Sequence, residues 1–170
     1  MSQADLRAPD FDSGDWAAVE QFLGSSLPGD YKSLVGDGNA LVFDGELFIA
    51  SPFDRRPTTS LVPLVASASW AAAVLRSSFP EDFDMPIFPE PGGILCWGVD
   101  GGGGEYFWDT RPDDPNQWTV VITGRPILEP GGQRHPCALR EYFAGLSDGS
   151  IAAAALGGWP GPNPSFERYD

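Results

Sequence analysis

Gly92-Gly93-Ile94-Leu95-Cys96-Trp97-Gly98-Val99-Asp100-Gly101-Gly102-Gly103-Gly104-Glu105-Tyr106-Phe107-Trp108-Asp109 is the stretch that decides how this chain folds. Ile94 to Val99 and Glu105 to Asp109 are rich in β-branched and aromatic side chains, which pack well on a pleated surface. Asp100 to Gly104 lies between them as a turn. After a polar loop a third run, Trp118 to Thr123, has the same character, so the three segments predict an antiparallel meander. Strand alternation places Leu95, Trp97 and Val99 on one face of the first strand. On the second it sets Tyr106 and Trp108 against Glu105, Phe107 and Asp109, so one face is core and the other partly wet.

Toward the N-terminus, Leu41 to Phe43 and Glu46 to Ala50 are two further strand-like runs. Asp44-Gly45 separates them, a dipeptide that accepts the positive φ angles of a tight turn, which predicts a β-hairpin. Two helices precede it. Trp16, Val19, Phe22 and Leu23 recur at helical spacing between Asp15 and Gly24, with Trp16 and Phe22 expected to be buried. Ser26-Leu27-Pro28 then starts a helix carrying Tyr31, Leu34 and Val35 on one face, with Gly36 as its stop.

Between the hairpin and the meander, residues 51–63 read as a loop because of their prolines and charges. Ser67 then caps a helix bearing Trp70, Val74 and Leu75 that ends before Pro80. Pro80, Pro86, Pro89 and Pro91 each remove a backbone donor, so residues 80–93 must wrap as an ordered loop. Past the meander, Leu139, Tyr142, Phe143 and Leu146 follow the i, i+3, i+4, i+7 pattern of a helix lying on the sheet, ahead of alanine-rich Ile151 to Leu156. The expected fold is α+β: one domain in which an antiparallel sheet, hairpin plus three-stranded meander, is flanked by about four short helices. Its bounds are residues 15–156, with a loose N-terminal segment at 1–14 and a loose Gly/Pro-rich tail at 157–170.

A chain of 170 residues is long enough to build one core without disulfides or a metal. Lys and Arg number 10 against 24 Asp and Glu, a net charge of −14. A field of that sign repels nucleic-acid phosphates and anionic lipid and draws basic proteins inward. Residues 1–15 carry acids and no apolar run, unlike a signal or transit peptide, and Cys96 and Cys137 stand apart in a strand and a helix. Both features point to the cytoplasm.

Chemistry-bearing motifs are sparse. Gly101 to Gly104 joins two strands, is flanked by Asp100 and Glu105, and lacks the Lys-Ser/Thr of a phosphate-binding loop, so it reads as a hairpin turn. His135 is followed by a proline and has no ligand-spaced neighbour, and the spacing of Asp109, Asp113 and Asp114 fits no calcium loop. No Ser, Cys or His stands in a motif that activates a nucleophile. The sequence therefore points away from an enzyme, a cofactor and a small-molecule substrate.

Leu27-Pro28-Gly29-Asp30-Tyr31-Lys32, followed by Gly36-Asp37-Gly38-Asn39, resembles the Leu-Pro helix start and the following turn of the SUKH superfamily, the Smi/Knr-like proteins. Trp97-Gly98 through Gly104, then Tyr106-Phe107-Trp108-Asp109, is similar to that family's central hairpin. Pro115 to Val121, with Trp118, is similar to its next strand. The order agrees from about Trp16 to Leu146. The resemblance implies an α+β fold in which Pro28, Tyr31, Trp97, Gly98, Trp108 and Trp118 define structure. It also implies a protein-binding role, in bacteria often that of an immunity protein neutralising a polymorphic toxin, many of which are nucleases.

The resulting expectation is a protein that binds a basic toxin domain through Asp100, Glu105, Asp109, Asp113 and Asp114. A cytosolic scaffold or regulator is the alternative within the same resemblance, and a carboxylate-based metal protein or enzyme is the alternative outside it.

Overall fold

The computed structural model of the protein describes residues 9–124, 132–153 and 157–170. Helices α1 (Trp16–Leu23) and α2 (Gly29–Val35) lead into the hairpin strands β1 (Leu41–Phe43) and β2 (Leu47–Ile49). Then follow α3 (Leu61–Ser78), β3 (Ile94–Asp100), β4 (Gly104–Asp109), β5 (Thr119–Gly124), β6 (Gln133–His135), α4 (Leu139–Asp148) and β7 (Phe166–Arg168). The strands form one open sheet in the order β6-β5-β4-β3-β2-β1-β7, and every pairing in it is antiparallel. The architecture is the expected single-domain α+β fold, with hairpin and meander fused through β2 and β3.

Local chemistry accounts for the junctions. The Asp15 carboxylate caps α1 by accepting from the Ala18 N–H at 3.0 Å, satisfying one of the donors a helix start leaves free. Asp44 and Gly45 hold φ of 46° and 73°, the pair of positive angles that matches a two-residue turn to the twist of its strands.

Four expectations need correction. Helix α3 begins at Leu61 and not at Ser67, and its 18 residues make it long. Pro63 lies in its first turn, where a helix has no use for the missing N–H, so the proline that read as loop belongs to the helix. Second, Phe22 is not buried but 48% exposed, although its ring meets Phe11 edge-on. Third, strict alternation fails in β3. Cys96 faces Phe107 and Gly98 faces Tyr106, so Trp97 is a bulge and Val99, opposite Glu105, lies on the other face of the sheet from Trp97. Gly98 follows from that irregularity: a Cβ there would sit 2.7 Å from the Phe48 carbonyl oxygen.

The fourth concerns the tail. Part of residues 157–170 returns to the sheet as β7, pairing with β1. Phe166 packs on Phe43 and Phe143 at 4.8 and 5.0 Å between ring centroids. The Trp159 indole N–H donates to the Asp44 carbonyl at 3.0 Å, anchoring the approach. Of the segments read as loose at the other end, Phe11 packs against the core. Residues 1–8 and the alanines past Ala153 lie outside the described residues.

Helices α1, α2 and α4 cover one face of the sheet. Tyr31 of α2 stands edge-on to Trp108 at 4.9 Å, Trp16 of α1 edge-on to Tyr31 at 5.7 Å, and Phe143 of α4 touches both Phe43 and Trp97. Because α4 leaves β6 at one edge and leads to β7 at the other, it bridges the sheet. Cys96, Phe107 and Val121 point to the opposite face and are buried as well. Helix α3 packs along β3 and supplies Leu61, Leu64, Val65, Ala68 and Ala72 to the core. The wrap at 80–93 extends this layer with Phe83, Met85 and Ile87, the last bridged to Ile94.

Candidate protein-binding surface

The five carboxylates expected to meet a partner are not brought together. Asp100 is 7% exposed. Its carboxylate accepts from the N–H groups of Gly102 and Gly104 at 2.8 and 2.9 Å and from the Tyr106 hydroxyl at 2.9 Å. It thereby fixes the glycine turn, and a Cβ on Gly104 would collide with it. Asp109, at the other end of β4, is 5% exposed and paired with Arg111 and Arg134. Burial alone would push its carboxyl up, yet the two guanidinium groups and the Arg111 N–H hold it below the usual carboxylate range.

Both residues are internal ties and are withdrawn from the docking set, because a buried carboxylate already holding its donors has nothing left to offer a partner. Glu105 is half-buried on the α3 side, where burial pushes its carboxyl up. Asp113 and Asp114 alone are exposed, and Asp114 caps the 3-10 turn Pro115–Gln117 by accepting from Asn116 N–H at 2.9 Å.

The structural motif residues lie in the interior. Pro28, Tyr31, Trp97, Gly98, Trp108 and Trp118 are all buried. The Tyr31 hydroxyl donates to the Ala50 carbonyl at 2.6 Å and the Trp118 indole to the Pro112 carbonyl at 2.9 Å. The indole N–H groups of Trp97 and Trp108 have no acceptor among the described residues.

What sequence reasoning missed is the outward face of α3. Trp70 is 72% exposed and Val74 44%; Leu75 at 42% and Phe79, the residue that closes the helix, at 56% are exposed at the border of the buried side near the helix end. A surface helix ordinarily turns a charged face to water. This one has no ionisable side chain from Pro57 to Leu75, and Ser67, Ala73 and Ser77 beside Trp70 are small and exposed. A signal was available: when the buried stripe is laid through Leu61, Leu64, Val65, Ala68 and Ala72, a 3.6 period puts Trp70 and Val74 on the far side. The helix has the length and composition of a membrane span, yet that same stripe is seated in the protein core.

The charges around this face are distributed unevenly. Ten Lys and Arg, less Arg7 and Arg125 outside the described residues, leave eight, and six of these are in ion pairs within the chain. Lys32 pairs with Glu20 and Arg56 with Asp54, both at 2.7 Å, while Arg76 at the end of α3 holds Glu90 at 2.7 Å. Exposed Glu81, Asp82 and Asp84 follow α3 directly, in no ion pair among the described residues.

For catalysis or metal binding the geometry offers little among the described residues. No group of His, Cys, Asp and Glu there is placed to hold a metal ion. Burial pushes the Cys96 thiol far above its ordinary value and Glu105 adds to the push, the opposite of what activates a nucleophile. A cleft of about 100 Å³ lies among Asp84, Met85, Ile94, Asp109, Arg111 and Arg134. It is well under the about 300 Å³ at which ligand pockets begin, and both of its arginines are already committed to Asp109.

Comparison with protein-family models, with curated proteins and with solved structures returns no match to this chain.

Proposed function

We propose that this protein is a cytoplasmic protein-binding module that neutralises a basic toxin domain, in the manner of SUKH-type immunity proteins. The observation that carries the proposal is electrostatic. With 24 Asp and Glu against 10 Lys and Arg, the chain carries a net charge of −14, so the field presented to a partner is predominantly negative. Such a field accelerates encounter with a cationic protein and opposes nucleic acid and anionic membrane. A nuclease that grips phosphate is cationic by need and is a natural target. The resemblance of Leu27 to Lys32 and of Trp97 to Asp109 to the family's motifs supports the same role. The two free cysteines are in keeping with a reducing compartment.

Binding here needs no chemistry from the module. The sheet and its helices form a rigid frame, the acidic field steers the partner, and docking blocks the partner's action. Co-expression with the toxin encoded beside this protein tests the proposal: growth should be restored, and a complex that weakens with salt should be isolated. Growth arrest unrelieved by the protein, with no complex at low salt, would sink it.

A further inference from the structure

We infer that the partner docks on the outward face of α3, with Trp70 and Val74 as its apolar centre and Glu81 and Asp82 as its ion-pairing rim. The inference rests on the binding role proposed above and assigns it a surface. Interfaces concentrate their energy in a few central aromatic anchors surrounded by a polar rim, and tryptophan is foremost among such anchors. Trp70 is the most exposed of the large apolar side chains among the described residues and stands near the middle of an uncharged helix face. Small neighbours, Ser67, Ala73 and Ser77, leave the indole projecting and let another backbone come close. Phe79, the residue that closes the helix, is exposed as well, but lies half a turn round from the Trp70 line, so the apolar centre of this face is Trp70 and Val74.

Charge identifies the occupant. Helix α3 ends in carbonyl groups that carry the negative pole of its dipole, and Glu81 and Asp82 follow within one turn of chain. The C-terminal end of the helix thus offers negative potential for a lysine or arginine, at the rim of the apolar face formed by Trp70 and Val74. A second copy of this chain brings the same −14 charge and would be repelled, and an anionic lipid surface is repelled in the same way. A basic protein segment that presents an apolar residue beside a cation satisfies both parts of the face.

The test uses the full chain and the toxin domain encoded beside it, with the Kd read by titration calorimetry. Trp70→Ala combined with Val74→Ser, and separately Glu81→Gln combined with Asp82→Asn, should each weaken binding, the first by about tenfold or more. Asp113→Asn with Asp114→Asn should leave it within about twofold. Circular dichroism and Tm unchanged from the wild type establish that the exposed substitutions leave the fold intact. Wild-type affinity in the α3 variants, with loss in the Asp113/Asp114 variant, overturns the surface and leaves the binding role standing. Absence of binding and protection by the wild type overturns the role itself. Trp70-dependent self-association on gel filtration, or Trp70-dependent binding to phosphatidylcholine/phosphatidylserine vesicles, in place of binding to the toxin domain, overturns the basic-protein occupant.

Discussion

The Tyr106 hydroxyl donates to Asp100 Oδ2 at 2.9 Å, so the acidic residue at the tip of the central hairpin is turned into the protein and held there. Its other oxygen accepts from Gly102 and Gly104. Asp100→Ala would strand three donors around a buried site and is expected to destabilise the fold by about 2–3 kcal/mol, with Tyr106→Phe costing about 1 kcal/mol. Urea unfolding measures both. If Asp100→Ala left the midpoint unmoved, the carboxylate would not be the tie assigned to it.

The six tryptophans divide by what they touch. Trp108 is fully buried against Tyr31 and Trp118, so Trp108→Ala should cost about 3–5 kcal/mol. Trp70→Ala should change stability by no more than about 0.5 kcal/mol, because the side chain is 72% exposed. Thermal unfolding of the two variants separates core from surface, and equal losses would contradict the assignment.

Acid should weaken the fold in two stages. Burial lowers the pKa of His135, whose ring lies tilted against Tyr142 at 5.1 Å between centroids, so the unfolded chain takes up its proton first. Its contribution is complete above the unfolded value of 6.5 and is lost as pH falls through the depressed folded value. For Asp54, burial pushes the carboxyl up, but the Arg56 side chain and the N–H groups of Arg56 and Ala40 overcome it and hold the pKa at about 2. That stabilisation is present above the ordinary value of 3.8 and fades between there and about 2. Stability measured against pH should lose its upper step in His135→Phe and its lower step in Asp54→Asn. An unaltered profile in both would remove these groups as the cause.

Deleting residues 163–170 should lower Tm and promote self-association, because β7 covers the otherwise open edge of β1. Gel filtration and thermal melting check this together. A truncated chain as stable and monomeric as the full one would show β7 to be dispensable.

How far the fold was legible follows from where the signals were local. Asp44-Gly45 announces its hairpin, and Ile94 to Asp109 announces two strands, because turn chemistry and β-branched or aromatic runs act over a few residues. β6 and β7 were not anticipated: three-residue strands such as Gln133–His135 and Phe166–Arg168 carry no period of their own and exist only because β5 and β1 offer open edges. The docking set was less legible still. Asp100 and Asp109 read as surface acids in the sequence, and only the three-dimensional positions of Tyr106, Arg111 and Arg134 reveal that both are spent inside. Trp70 presented the reverse problem, since a tryptophan at helical spacing resembles core until the opposite stripe is known to be seated.

The measurement that bears most directly on the proposed binding role is the association rate with a basic toxin domain of the kind proposed as partner, followed by stopped flow across ionic strength. An acidic module steering a basic partner should lose about tenfold or more in association rate between low and high salt, while Trp70→Ala raises the dissociation rate and leaves that slope unchanged. An association rate indifferent to salt would contradict the account.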